Sequence, residues 1–294
     1  MPISQDIRDR YKKRLESYFK KVDDLSKTEI DKSIQYLEGM GKKIRGEMSK
    51  STSFRADHLK KLKEDVGNHI TEFKDMMVKS VQKTQGKSYN DGTKSTDYLG
   101  DAFKIDLKLP AVSLEQLLLA QNFTEDLAVQ LSDEVRRKVS RAINEVALGI
   151  KTPIEAMGEI EKWVSPVKTP KGFVGSAYRS EMIVRTAVNR AFDMGARARA
   201  DQVEETQPGL QKWWLTAGDE RVRPTHFEAG IRYSEDKPID LNAPFHVGGS
   251  RLMYPSDPSG APEEVINCRC RAIYVHPKWV SELDRKEKAK KKAS

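Results

Sequence analysis

Apolar residues recur every three or four positions along the first part of the chain. One stripe covers residues 7–44, with a change of phase along it, and a second covers residues 59–81. The polar stretch at 49–53 separates them. This period is typical of amphipathic helices that bury one face. We therefore predict a helix over residues 5–46 and another along the second stripe. They pair as an antiparallel hairpin, or each packs on a partner.

The next region contains a polar segment followed by two helical patterns. Residues 86–100 are rich in Gly, Ser, Thr and Asp, which favours a linker. Ser113 precedes a short apolar stretch and is a candidate helix cap. Thr124 precedes a longer apolar stripe, and Gly149 is placed to end that helix.

Two more helices are predicted before the pattern changes. Thr152 and Glu155 have the spacing of a capping box, with Pro153 at the first helical position. After a Pro/Gly connection at 168–175, a helix is predicted from residue 176 to about residue 205. Its small residues would let another element approach closely.

Beyond residue 209 the apolar runs are short and are separated by Gly, Pro and Asp, which is typical of short strands. The two glycines at 248–249 indicate a hairpin connection. The predicted strands include residues 213–215, 231–233, 252–254 and 272–275. The predicted fold class is α+β: a long helical N-terminal arm and a helical middle region, followed by a small C-terminal module with short antiparallel strands.

These patterns divide the chain into consecutive segments. The predicted order is a helical arm or hairpin (1–85), a linker (86–110), a helical middle region (111–175), a C-terminal domain (176–277) and a basic tail (278–294).

Composition adds charge to this picture. The 294 residues include 52 Lys and Arg against 44 Asp and Glu, a net charge of +8, and only 37% are hydrophobic, which favours long solvated helices. A basic run near the C-terminus is a candidate DNA-binding segment through its phosphate affinity; the alternative is a solvated tail that maintains solubility. The basic residues in question are Arg285, Lys286, Lys288, Lys290, Lys291 and Lys292.

The sequence also bears on cellular location. No window of about 18 consecutive apolar residues occurs, so we predict no membrane span. The first residues lack a basic region followed by an apolar stretch, so we expect no secretory signal. The two cysteines lie one residue apart, which is not a disulfide framework and favours a reducing cytosol.

The two cysteines are the first candidates for chemistry. Thiolate sulfur and imidazole nitrogen suit Zn²⁺ in a tetrahedral site, and Asp219 or Asp257 are outside options. The alternative is that both thiols are small apolar side chains on a strand. No other resident cofactor is predicted. The hypothesis of a structural zinc ion uses His226, His246, Cys268 and Cys270 as ligands.

Charged residues lie close to the turn signals of the same region. Asp219, Arg221, Arg223, Glu263 and Glu264 are expected to form internal ion pairs that fix loops. The alternative is a surface that binds an acidic partner or DNA phosphates.

Known catalytic motifs do not occur in the sequence. It contains no phosphate-binding Gly-rich loop, no GxSxG, no HExxH and no dinucleotide-binding fingerprint. His226 has no recognisable nucleophile to act with. We therefore expect no enzymatic activity. The alternative is a metal-dependent nucleic-acid-processing enzyme, or a DNA-binding protein, that uses His226, Asp219 and the pair Cys268 and Cys270.

An ordered series of residues extends over roughly 176–276 and ends in the Asn-Cys-Arg-Cys segment at 267–270. The series resembles the C-terminal domain of phage Mu F-like minor head proteins. It departs from the family pattern at Ala187, where a Glu is usual. The residues that carry the resemblance are Lys212, Trp213, Asp219, Arg221, Arg223, His226, Gly230, Pro255, Asp257, Pro258, Glu263, Asn267, Cys268, Arg269 and Cys270.

The resemblance implies a non-enzymatic minor head protein that is incorporated during capsid assembly. Its expected partner is the phage portal protein. Scaffolding protein, major capsid protein and double-stranded DNA are further candidates. The implied location is the capsid interior near the portal vertex, after assembly in the bacterial cytoplasm. The N-terminal helices would then be a docking arm for portal or scaffold.

Overall fold

The computed structural model describes residues 5–50, 56–103, 105–170 and 172–279. The helices are α1 (Gln5–Lys50), α2 (Ala56–Phe103), α3 (Glu115–Ala147), α4 (Pro153–Val164), α5 (Gly175–Thr206), α6 (Pro224–Arg232) and α7 (Pro262–Val265). The strands are β1 (Lys168–Thr169), β2 (Gly172–Phe173), β3 (Gln211–Leu215), β4 (Ile239–Asp240), β5 (Phe245–Val247), β6 (Ser250–Leu252) and β7 (Arg271–Val275). Long helices followed by a module of short antiparallel strands confirm the predicted α+β class.

The chain forms two compact units, each built from segments that are distant in sequence. The first unit is drawn from Met1–Leu25, Gln85–Ala120 and Val188–Ser294, and the second from Ser26–Thr84 and Gln121–Ala187. Helices α1, α2, α3 and α5 each contribute residues to both units.

In the second unit, α1 and α2 pack antiparallel to each other. The Thr84 hydroxyl donates to Glu29 over 2.8 Å, and Lys43 donates to Glu72 over 2.6 Å. A later residue of α1 therefore contacts an earlier residue of α2, which is the arrangement of an antiparallel hairpin and confirms that interpretation. The predicted apolar stripes supply the buried side chains, which include Ile30, Ile34, Leu37, Ile44, Val66, Ile70, Phe73, Met77 and Val81.

The caps of α4 follow the sequence prediction closely. The Thr152 side chain accepts from the Glu155 amide, and the Glu155 side chain accepts from the Thr152 amide. Both halves of a capping box are therefore present, with Pro153 at the first helical position. Gly149 has a φ of 71° just after α3, which confirms its predicted role in ending that helix.

The prediction of a linker at 86–110 is wrong for residues 86–103, which form the end of α2. Polar side chains of this segment bind backbone carbonyls of α5 in the first unit: Ser88 donates to Val188 over 2.7 Å, and Thr96 donates to Ala196 over 3.1 Å. Hydroxyls and glycines are therefore used for a close helix–helix contact. Residues 105–110, the remaining described part of the predicted linker, have no regular secondary structure.

Two further predictions of secondary structure fail. The separate helices expected after Ser113 and Thr124 are one helix, α3, and Thr124 is buried inside it. A Thr in a helix interior costs only a few tenths of a kcal/mol, so it does not break the helix. Residues 231–233 are not a strand but the end of α6 and its cap. Pro224 starts that helix, and Ile231 faces outward with 59% exposure.

The C-terminal module contains two antiparallel sheets. The three-stranded sheet has the order β4-β3-β7, with Trp213 opposite Ile273. Strands β5 and β6 form a hairpin whose turn uses Gly248 and Gly249 at φ values of 53° and 83°. The strand predictions at 213–215 and 272–275 and the hairpin turn at 248–249 are therefore confirmed.

An aromatic cluster fills the centre of this module. The Trp214 ring meets the rings of His226 and Phe245 edge-on, each with centroids 5.3 Å apart, and Tyr233 lies 5.2 Å from Phe245. Because Trp214 alternates with Trp213 along β3, one indole is buried and the other is half-buried. The cluster places His226 inside the module rather than on its surface.

Among the helices of the described residues, none combines the length and apolar character needed to cross a lipid bilayer.

Candidate metal centre and structural motif

His226 is held in the first turn of α6. Pro224 opens the helix, and the His226 amide donates to the Arg223 carbonyl over 3.0 Å. The side chain points inward and is only 2% exposed, with its ring against Trp214.

Cys268 and Cys270 lie between α7 and β7 and converge on this ring. Asn267 precedes them at a φ of 62°, a left-handed conformation that Asn tolerates better than most residues. Cys268 Sγ lies 3.6 Å from His226 Nδ1, and Cys270 Sγ lies 3.4 Å from the same nitrogen. Both cysteines are buried and are not in a disulfide. The three candidate ligand atoms lie within 4.8 Å of one another.

Glu264 fixes the other side of the imidazole. Its Oε2 lies 3.1 Å from His226 Nε2 and accepts a hydrogen bond from the Thr225 hydroxyl over 2.8 Å. A carboxylate can only accept here, so Nε2 carries the hydrogen and the lone pair of Nδ1 faces the two sulfurs. Glu264 was assigned on sequence only to internal ion pairing; its contact with His226 was not anticipated.

The two thiols influence each other's protonation. The hydrogen bond to Cys270 raises the pKa of Cys268 far above its usual value, and burial adds to the effect. The same contact lowers the pKa of Cys270, although burial opposes this change. Cys270 therefore loses its proton more readily than Cys268.

His246 does not join the group. It lies in β5 with an exposed side chain. Its backbone amide donates a hydrogen bond to the Tyr233 hydroxyl over 3.0 Å. The group that the described residues bring together is His226, Cys268 and Cys270. Sulfur and imidazole nitrogen in this combination suit Zn²⁺.

Asp219 is bound by arginines within the module. It accepts from Arg269 through both oxygens, over 2.5 and 2.6 Å, and from the Arg221 amide over 3.1 Å. The contact with Arg269 is the main reason that the pKa of Asp219 lies well below its usual value. Arg269, the residue between the two cysteines, was not predicted as this partner.

Arg223 joins the segments around the candidate ligands. Its guanidinium donates to the carbonyls of Glu264 and Ile266, just before the cysteine segment. Arg221 also contacts Asp219, at 3.3 Å, and is largely exposed.

Lys212 is a fully buried cation in β3. Its Nζ donates to the Met253 carbonyl over 2.7 Å and lies 4.7 Å from the centre of the Phe245 ring. Burial, helped by the nearby positive charge of Arg197, lowers the pKa of Lys212 to about 7. Its amine therefore ties the β6 segment to the three-stranded sheet.

The remaining motif residues shape turns. Asp257 accepts from the Met253 amide over 2.7 Å and from the Ser259 amide over 2.9 Å, which closes the loop after β6. A Cβ on Gly230 would lie 2.7 Å from the Thr216 methyl group, so only glycine fits there without a shift. Pro258 and Glu263 are exposed.

A buried polar network joins α5 to the module and was not predicted. Arg271 donates to Asn189 over 2.5 Å and to the Cys270 carbonyl over 3.0 Å. The Ser256 hydroxyl donates to Asp193 over 2.9 Å, and Arg190 donates to the Ser256 carbonyl over 3.0 Å. Burial raises the pKa of Asp193 well above its usual value. Charged residues recurring along the otherwise apolar face of α5 were the available signal.

The candidate DNA-binding residues 285–292 lie outside the described residues.

A model of the family described as Phage Mu protein F like protein matches residues 131–273. The resemblance stated from the sequence is thereby confirmed, and the matched region begins well before residue 176. No curated protein and no solved structure matches the chain. The match covers the candidate metal centre and all the motif residues, and it supports a role in phage head morphogenesis.

Proposed function

We propose that this chain, which contains a phage Mu protein F-like domain at residues 131–273, is a minor head protein that associates with the portal during procapsid assembly. The domain match is the observation that carries the proposal. The protein would act inside the head near the portal vertex, by binding other head components rather than by turnover.

The use of the motif residues supports this interpretation. Asp219 is occupied by Arg269, Lys212 is buried under the Met253 carbonyl, and Arg223 binds backbone carbonyls. Each of these three charged groups already has a hydrogen-bond partner inside the module. The motif residues therefore stabilise the fold of the module. In an enzyme, charged residues of this kind would instead be accessible to substrate.

The alternative of a nucleic-acid-processing enzyme has less support. His226, Cys268 and Cys270 are each no more than 3% exposed, so a substrate would have no direct access to them. A catalytic metal site keeps an open position that substrate can reach.

Exposed apolar side chains supply material for contacts with other head proteins. In the first unit, Leu114, Leu118 and Leu119 are 58%, 57% and 67% exposed. In the second unit, Leu148, Ile150 and Ile154 are 73%, 66% and 77% exposed. Neighbouring apolar side chains of this kind are typical of surfaces that a partner covers.

Contact with packaged DNA is a further part of the proposal and depends on the basic run at 285–292. Lysine and arginine neutralise phosphates and release counterions whatever the base sequence. DNA contact through this run would therefore aid packaging or ejection without selecting a sequence.

The test is complementation in a phage that lacks the gene and has its other head genes intact. A tagged copy of this chain should restore DNA-filled heads and should co-purify with portal oligomers. A chain ending at residue 284 should still bind the portal but yield heads containing less DNA. Normal heads in the deletion phage, with no portal recovered on the tagged chain, would reject the proposal.

A further inference from the structure

We infer that His226 Nδ1, Cys268 Sγ and Cys270 Sγ bind a structural zinc ion, and that Glu264 positions the histidine for it. This inference rests on side-chain geometry and does not depend on the proposed function.

The distances between the candidate ligand atoms fit a shared ion. With Zn–S bonds of about 2.3 Å and Zn–N bonds of about 2.0–2.1 Å at tetrahedral angles, each sulfur would lie about 3.6 Å from the ring nitrogen. The observed separations are 3.6 Å for Cys268 and 3.4 Å for Cys270. The ligand atoms therefore need to move very little to bind the ion.

The second contact of the imidazole is the one that zinc-binding histidines usually make. A ligating histidine donates its other ring N–H to a carboxylate or carbonyl, which fixes the ring and makes the ligating nitrogen more basic. Glu264 Oε2 lies 3.1 Å from His226 Nε2 and is itself held by the Thr225 hydroxyl. Nδ1 is thereby left free to bind a metal, and it faces the sulfurs.

Burial indicates a structural rather than a catalytic ion. All three ligands are buried, and among the described residues no fourth His, Cys, Asp or Glu joins the group. A water molecule is the fourth ligand in this proposal, and because the three protein ligands are buried, substrate cannot reach that position as it does in a catalytic site. The ion would join α6 to the segment before β7 across 42 sequence positions, a span that contains β4, β5, β6 and α7.

The two negative charges of the cysteine thiolates would balance the two positive charges of the zinc ion. Both sulfurs bind as thiolates, so each thiol proton is released to solvent and the affinity increases with pH. The main competing state is a Cys268–Cys270 disulfide, which needs an oxidant and releases two hydrogens per chain. A second competing state is a pair of hydrogen-bonded thiols with no ion.

The first experiment measures metal in the full chain purified without chelators and under reducing conditions. We expect about one zinc per chain by elemental analysis. Cobalt replacing zinc should give thiolate-to-metal charge-transfer absorption. Cys268→Ser, Cys270→Ser and His226→Asn should each lose the metal, whereas His246→Asn, the matched control at an exposed histidine, should keep it. Glu264→Gln should still bind zinc, with affinity reduced about 10- to 100-fold.

A second measurement keeps the inference testable if the cysteine variants do not fold. Chelator should lower the thermal unfolding midpoint of the unmodified chain by roughly 5–10 °C, and added zinc should restore it. Zinc should also protect both thiols from a maleimide reagent. The inference is overturned if the reduced chain neither contains nor takes up zinc or cobalt. A mass two hydrogens lower in the freshly purified chain, which indicates the disulfide, would also overturn it.

Discussion

At the scale of single residues, site residues could be predicted from the sequence where their residue type is rare in the chain. The chain has 2 cysteines and 5 histidines, so a short list already contained His226, Cys268 and Cys270. Glu264, which contacts His226, and Arg269, which contacts Asp219, belong to sets of 44 acidic and 52 basic residues, and their places beside a turn signal and between the cysteines do not indicate these partners. Their roles depend on contacts 38 and 50 positions away in sequence, so only the folded chain shows them.

Lys212 gives a prediction about pH. Its pKa of about 7 in the folded chain lies below the value of about 10.4 expected in the unfolded chain. Between these values the unfolded state binds more protons, so stability should rise with pH. Relative to Lys212→Met, the unmodified chain should gain up to about 1.4 kcal/mol in free energy of unfolding per pH unit between roughly pH 7 and 10.

Denaturant unfolding of both proteins across this pH range measures the difference. Lys237→Met is the matched control, because Lys237 is exposed, and it should keep the slope of the unmodified chain. Parallel curves for the unmodified chain and Lys212→Met would show that the buried amine does not titrate in this window.

At the scale of elements, the period of the apolar residues predicted the long helices correctly. Composition gave a wrong prediction where two helices pack closely together. The Gly- and Ser-rich stretch 86–100 has the composition of a linker, yet a Cβ on Gly92 would lie 2.0 Å from the Phe192 carbonyl oxygen of α5. A Cβ on Gly195 would lie 2.1 Å from the Tyr89 carbonyl oxygen of α2. The two glycines are needed because the helices approach so closely, and this approach is a feature of the tertiary structure that local composition does not indicate. The expectation that small residues on α5 permit close approach is confirmed.

Two glycines of the same helix should respond in opposite directions to alanine. Gly92→Ala forces a backbone shift between α2 and α5 and should destabilise the protein by about 1–3 kcal/mol or more. Gly86→Ala meets no atom within 4 Å and should stabilise the protein by roughly 0.5–1 kcal/mol through helix propensity. Thermal and denaturant unfolding of both variants provides the comparison. Equal effects of the two substitutions would contradict the assigned helix contact.

At the scale of the whole molecule, the predicted segments are consecutive but the observed units are not. Among the described residues, the first unit combines the first half of α1 with Gln85–Ala120 and with residues 188–279. Sequence periodicity reports which faces are buried and cannot report which distant segments bury them. The polar network of Arg271, Asn189, Asp193 and Ser256 is a case of this kind, because its members look like ordinary charged or polar residues until α5 packs on the module.

The same scale explains why the order of motif residues was informative about function. Residues spaced over 212–270 support one another by ion pairs, a buried lysine and turn contacts, so their order reflects the architecture of a single module. The family match over residues 131–273 connects that architecture to phage heads. The central claim is that the chain works as a part of the head.

The most direct test is quantitative mass spectrometry of purified heads from a phage that encodes the chain, with the portal protein as internal reference. If the chain is a head component, heads separated from free protein by density gradient should contain it at a constant, low ratio to portal protein. Its absence from heads, while it is abundant in the infected-cell lysate, would show that it is not a head component.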